Sequence, residues 1–163
     1  MNYLGLNAEK VGTVVRELNT LLANYHIYYQ NLRNFHWNVE GENFFDLHEK
    51  FEGLYDDAME TIDELAERVL TLRHRPISRY SDYIAEAEID ESPVLNNDTK
   101  MVATVLLNHK VIIANMRRVI ELASQADDEG TIDMIGSALE NIEKKSWMFD
   151  AWMAKKEQAA LVA

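Results

Sequence analysis

His36 and His48 stand twelve residues apart, and carboxylates follow at helical spacing: Glu52, Asp56, Glu60, Asp63 and Glu67. Neutral imidazoles and carboxylates together are ligands for iron, manganese or zinc. On a helical wheel with His48 at zero, Glu52 falls at about 40°, Asp63 at about 60°, Asp56 at about 80°, Glu67 at about 100° and Glu60 at about 120°. The apolar stripe of the same segment centres at about 300°, so the row flanks that stripe instead of occupying the outermost face. For any single residue of the row, a solvated helix flank is the competing reading. A row that begins in histidine is the reason to weigh a metal site.

His48 and Asp63 are fifteen residues apart, roughly 22 Å along a helix, whereas ligands of one ion sit about 2 Å from it. One straight helix cannot bring them to the same ion. A second copy of that helix, antiparallel across a two-fold axis, sets His48 opposite Asp63 and Glu67 of the partner subunit, twice per dimer. A site built from these groups therefore belongs to two chains. A di-iron centre inside one bundle would instead need Glu-x-x-His pairs. The residues three before His26, His36, His48, His74 and His109 are Ala23, Arg33, Phe45, Thr71 and Leu106, which excludes that arrangement.

The elements that must position these groups follow from apolar periodicity. Val11, Val14, Leu18, Leu21, Leu22, Tyr25 and Leu32 predict a first helix, capped by Asn7 and running to about Trp37. Val39, Glu40 and Gly41 make a turn, and Leu47, Phe51, Leu54, Ala58, Leu65 and Val69 mark a second helix from near Asn43. Arg73, His74 and Arg75 suit its C-terminus, and Pro76 stops it. A long connection follows, holding one short helix over 81–88. A third long helix is capped by Asp98 or Thr99, and a fourth is opened by Asp127, Asp128 and Glu129. Four long helices with short, long and short connections predict an all-α fold: a ferritin-like four-helix bundle whose one long crossover contains a short helix.

The 163 residues suit a single domain spanning 1–163. Two prolines and six glycines leave no flexible linker, and zero cysteines exclude disulfides and thiolate metal sites. No apolar run is long enough for a membrane span, and the N-terminus has no leader pattern, so the expected location is cytoplasmic. The net charge of −12 attracts cations and repels phosphate backbones. Basic pairs such as Arg117–Arg118 and Lys155–Lys156 are isolated.

At the residues described, the sequence resembles the Dps family, the DNA-binding proteins from starved cells or miniferritins. The resemblance covers almost the whole chain and rests on NFHWNVEG (34–41), FFDLHEKFE (44–52), DDAMETIDELAER (56–68) and SWMFDAWM (146–153). It implies a hollow homo-oligomer of twelve subunits that oxidises Fe(II), with hydrogen peroxide or oxygen as oxidant, and stores ferric mineral, without haem. It further implies a ferroxidase site with His36 and His48 from one chain and Asp63 and Glu67 from the other, and Glu52 nearby. Trp37 matches an aromatic residue near that site. Asp127, Asp128 and Asp133 match acidic residues lining a three-fold pore that admits iron. Glu49, Asp56 and Glu60 are candidates to nucleate mineral on the inner wall.

Three alternatives stay open at this point. A nucleoid-compacting protein would need a Lys/Arg-rich arm, which the sequence lacks. In a non-catalytic helical interaction module the His/Asp/Glu row would be only a solvated flank. Manganese and zinc also suit the ligand set. With this charge, duplex DNA mixed with micromolar protein at physiological salt is expected to run unshifted in a gel; a salt-sensitive shift would contradict that expectation.

Overall fold

The structure, a computed structural model, describes the backbone of residues 3–162 and side chains to residue 154. The side chains of Lys155 and Lys156 lie outside the described residues. Five helices follow in order: α1 (Ala8–Asn38), α2 (Phe44–Thr71), α3 (Tyr80–Glu86), α4 (Asp98–Gln125) and α5 (Glu129–Val162). The described residues contain no strand. Helices α1 and α2 form one antiparallel hairpin, α4 and α5 another, and α1 packs on α4 as well as on α3. The long crossover from α2 to α4 carries α3. This is the ferritin-like bundle that the periodicity predicts.

Local chemistry sets the helix ends. Asn7 Oδ1 accepts from the N–H of Glu9 at 3.0 Å and of Lys10 at 3.1 Å, starting α1. Gly41, at φ 96°, supplies the left-handed residue of the tight turn into α2. Helix α2 ends at Thr71, short of the expected basic stretch, because Arg73 takes φ 66°. The His74 N–H then reaches back to the Val69 carbonyl at 3.1 Å, a Schellman closure without glycine. The cap of α4 is Asn97, not Asp98 or Thr99: its side chain accepts from the Lys100 N–H at 2.8 Å. Asp98 instead accepts from Asn43 Nδ2 at 2.7 Å, tying the start of α4 to the start of α2.

The core is apolar and continuous, with Leu18, Leu21, Leu22, Leu32, Phe35, Phe51, Leu65, Met101, Ile112, Met116 and Ile135 fully buried. Each such side chain contributes roughly 1.5–3 kcal/mol by leaving water. Trp147 stands outside this core at 66% exposure, so the chain's own packing does not explain it, while Trp152 packs partly against the core.

Across the α1–α4 seam runs a row of buried asparagines. Asn24 Nδ2 donates to Asn115 Oδ1 at 3.0 Å, and one heptad along, Asn31 Nδ2 donates to Asn108 Oδ1 at 3.1 Å. The carbonyl oxygens of Asn24 and Asn31 are left for the crossover. Asn24 Oδ1 accepts from the N–H of Glu88 at 2.7 Å and of Ile89 at 3.1 Å, and Asn31 Oδ1 accepts from the N–H of Ser92 at 2.7 Å. These bonds explain why α3 stops at Glu86 and not at Glu88: the Ala87 N–H makes the last helical bond, to the Tyr83 carbonyl, and the amides of Glu88 and Ile89 turn to Asn24.

Replacing Asn24 by Leu strands two crossover amides and the Asn115 amide oxygen in the interior, at roughly 1–3 kcal/mol for each group left unpaired. We expect Asn24→Leu to melt several degrees below the parent protein by circular dichroism. An unchanged melt would show that the asparagine row does not hold the crossover.

Candidate metal centre

The last turn of α1 and the second turn of α2 bring His36 and His48 together across the hairpin. Their rings stack with centroids 3.8 Å apart and planes inclined by 21°. Each imidazole donates its Nδ1–H to the backbone carbonyl of the other: His36 Nδ1 lies 2.9 Å from His48 O, and His48 Nδ1 lies 2.9 Å from His36 O. A carbonyl only accepts, so both Nδ1 atoms carry the proton and each neutral ring keeps its lone pair on Nε2. The His36 carbonyl is available because it belongs to the last turn of α1, where helix carbonyls lack a backbone partner. The pair thus presents two Nε2 donor atoms whose tautomer and ring orientation are fixed by hydrogen bonds behind them, as metal-ligating histidines require.

Aromatic rings enclose the pair. Phe44 stacks on His48 at 5.0 Å and 25°, and Tyr55 meets His36 edge-on at 5.3 Å and 87°. The Tyr55 hydroxyl donates to Glu52 Oε1 at 3.2 Å, orienting that carboxylate one turn beyond His48. Burial and the neighbouring Glu52 push the Tyr55 phenol above its ordinary pKa, so it stays a donor to Glu52.

Asp63 and Glu67 lie far along the same unbroken α2 and are exposed, as is Glu52. Among the described residues of one chain, no group of three or more His, Asp or Glu side chains is close enough to hold a metal ion. The structure therefore brings His36 and His48 together, places Glu52 beside them, and leaves Asp63 and Glu67 at the opposite end of the helix.

A ferritin-like domain profile matches residues 15–159. A DNA protection during starvation protein from Porphyromonas gingivalis is 41% identical over 151 residues, spanning 93% of this chain and 95% of its own. The crystal structure of a Dps protein from Vibrio cholerae O1, described as a member of a broad superfamily of ferritin-like diiron-carboxylate proteins, matches with a TM-score of 0.91. It is 37% identical and covers 94% of this chain and 96% of its own. The chain belongs to the Dps family of ferritin-like proteins. A second solved Dps protein, from Bacillus brevis, matches at a TM-score of 0.87 and 39% identity, over 89% of this chain and 97% of its own.

In this Dps chain the three aspartates near the α4–α5 turn have separate tasks. Asp127 is exposed and closes α4 in the left-handed region at φ 56°. Asp133 is exposed on the first turns of α5. Asp128, expected beside them in a pore, is 2% exposed. One of its oxygens takes the guanidinium of Arg68, and the other accepts from Thr131 Oγ1 at 2.6 Å. Arg68 Nε in turn donates to Thr131 Oγ1 at 2.9 Å. With both oxygens held inside the subunit, Asp128 caps α5 and anchors it to α2 instead of facing a channel.

Trp37 is 59% exposed, with the Arg33 guanidinium 4.6 Å above its ring, so it is not a core residue of this chain. Glu49 and Asp56 line a groove of about 870 Å³ between α2 and α5, with Phe149 and Trp152 on the other wall; Glu60 is exposed farther along α2. Tyr55 is the site residue that the sequence reading missed. Its signal was present: it lies three residues after Glu52 and seven after His48, on the same side of α2.

Removing one partner of a buried ion pair costs roughly 3–5 kcal/mol. Asp128→Asn is accordingly expected to lower the melting temperature markedly. Asp127→Asn, at a position whose backbone asparagine accepts readily, leaves it in place. Equal melting of the two variants would contradict the separate tasks assigned to these residues.

Proposed function

We propose that this Dps protein oxidises Fe(II) at sites shared between two subunits and stores the ferric product inside a hollow shell of twelve copies. Membership of the family supports iron storage and protection in general. The observation that carries the finer reading is the reciprocal His36–His48 pair, which leaves two Nε2 lone pairs free for a metal, while the described residues of one chain hold no group of three or more His, Asp or Glu that could bind one. A two-fold neighbour supplies what is missing: Asp63 and Glu67 of the partner subunit complete the donor set, with Glu52 beside it. Imidazoles suit the ferrous substrate and carboxylates the ferric product, and so few protein ligands leave positions open for the oxidant.

Hydrogen peroxide is the oxidant that makes the site protective. Two Fe(II) ions at neighbouring positions each give one electron, two protons are taken up, and peroxide leaves as two waters without releasing a hydroxyl radical. The protein contributes position and charge: Tyr55 holds Glu52, and the carbonyls of His36 and His48 hold the imidazoles. Asp127 and Asp133 form the acidic funnel through which the cation enters an anionic shell. Glu49, Asp56 and Glu60 offer carboxylates on which ferric mineral nucleates. Trp37 intercepts oxidising equivalents that escape the site.

No helix among the described residues is long and apolar enough to cross a membrane, and we place the protein in the cytoplasm as a single domain over 1–163. The charge of −12 per chain opposes direct binding to DNA.

The shared site makes a quantitative forecast. His48→Ala and Asp63→Ala each remove a ligand and slow peroxide-dependent ferric formation by roughly a hundredfold, at the upper end of what loss of an outer partner alone costs. Co-assembled in equal amounts, half of the two-fold pairs are mixed. Each mixed pair regains one of its two sites, so about a quarter of parental activity returns. Verified mixed shells that stay as slow as the single variants would overturn the shared site.

A further inference from the structure

Deep in the bundle, and outside the His36–His48 pair, lies a hydrogen-bonded chain that the proposed function does not use. The Tyr28 hydroxyl is 2.7 Å from His109 Nε2, and His109 Nδ1 is 2.8 Å from Ser146 Oγ, which itself donates to the Ile142 carbonyl at 2.7 Å. The direction of every proton follows. Ser146 has one hydroxyl hydrogen and gives it to Ile142, so toward His109 it accepts, and His109 Nδ1 carries the ring proton. Nε2 therefore holds the lone pair and accepts from Tyr28. Both residues are buried, His109 at 1% and Tyr28 at 3% exposure. Burial, and secondarily Lys145, lowers the His109 pKa to about 3, and burial raises that of Tyr28 well above its usual value. In the resting protein the pair is thus neutral, with the phenol hydrogen-bonded to the unprotonated imidazole nitrogen.

Other tyrosines link this pair to the candidate metal centre. Tyr55 touches His36 at 5.3 Å, Tyr29 meets Tyr55 edge-on at 6.0 Å, and Tyr25 meets Tyr28 edge-on at 6.1 Å. Tyr25 and Tyr29 are successive-turn neighbours on α1. Of the four tyrosines, Tyr28 is the one whose hydroxyl bonds an imidazole, whereas that of Tyr55 bonds the Glu52 carboxylate.

We propose that Tyr28 and His109 form a redox-active pair that stores one oxidising equivalent from the metal centre and returns it to the next Fe(II). The inference rests on the ferroxidase reading above. The need arises when a site holding a single Fe(II) meets peroxide: one electron goes over, leaving Fe(III), hydroxide and a hydroxyl-radical equivalent. That oxidant takes one electron by way of the tyrosines and becomes a second hydroxide. Tyr28 loses the electron and its O–H bond breaks, the proton crossing to His109 Nε2, which leaves a neutral phenoxyl radical beside an imidazolium. A second Fe(II) then reduces the phenoxyl, the proton returns from His109, and the pair is restored. The sum is two Fe(II) and one peroxide giving two Fe(III) and two hydroxides, which two protons convert to two waters, the same balance as a fully loaded site. A purely structural Tyr28–His109 bond would hold the same geometry and form no radical.

The test uses assembled protein and two independent oxidants. In the first arm, anaerobic protein with less than one Fe(II) per chain receives hydrogen peroxide and is freeze-quenched for electron paramagnetic resonance. In the second, iron-free protein is oxidised by a flash-generated ruthenium tris-bipyridyl complex with persulfate as electron acceptor. We expect a tyrosyl signal in both arms that narrows when tyrosine is ring-deuterated and is lost in Tyr28→Phe. His109→Gln, which keeps an acceptor but cannot take the proton, loses the long-lived signal while shell size and melting stay close to the parent's. A signal undiminished in Tyr28→Phe, or equally long-lived in His109→Gln, overturns the proposal. So does a radical confined to the light-driven arm while ferric iron forms normally. Absence of ferric formation in the parent protein would instead sink the ferroxidase reading, and the light-driven arm would then decide the pair on its own.

Discussion

The straightness of α2 is the constraint on which the rest depends. The helix is unbroken from Phe44 to Thr71, so the end that carries His48 and the end that carries Asp63 and Glu67 are held roughly 22 Å apart. No side-chain rotation closes that gap. In the proposed site, two antiparallel copies turn the separation into complementarity, because each end then meets the other end of its neighbour. On that proposal self-association follows from the spacing of the candidate ligands along one helix, and the hairpin to α1 adds the second imidazole.

What orients the donors is backbone chemistry. The His36 and His48 rings are held by each other's main-chain carbonyls, so the pair needs no further side chain to define its tautomers. That arrangement requires α1 and α2 to keep their register. Within the hairpin the buried core holds that register, while the Asn43–Asp98 bond ties α2 to α4 at one end of the bundle and the Arg68–Asp128 pair ties α2 to the start of α5 at the other. The asparagine row along α1 and α4 anchors the crossover, converting two polar pairs in the core into acceptors for its amides.

Much of this was legible in the sequence, and the reasons differ by element. The long helices follow from apolar periodicity, and the proposal of a shared site rests on the distance arithmetic. Helix ends were less legible, since Arg73 and Asp127 adopt left-handed backbone that composition does not announce, and Asn97 takes the cap that neighbouring Asp98 would serve equally well by type. Asp128 shows the limit for single residues. An acidic residue at a helix start fits a channel wall and a buried ion pair alike, and the choice depends on Arg68, sixty residues away. Asn24 and Asn31, like Asn108 and Asn115, repeat at seven-residue spacing in phase with the apolar stripe. That signal was readable, but only as polarity in the core; which crossover amides they hold depends on the three-dimensional path of the chain.

The central claim is that a metal ion is held by two chains at once, and crystallography with anomalous scattering tests it most directly. Crystals of the assembled protein soaked anaerobically in Fe(II) should show anomalous density about 2 Å from Nε2 of His36 and His48 and from the carboxylates of Asp63 and Glu67 of the partner subunit. Iron bound entirely by side chains of one chain, or a two-fold interface that leaves His48 far from the partner's Asp63, would contradict the account.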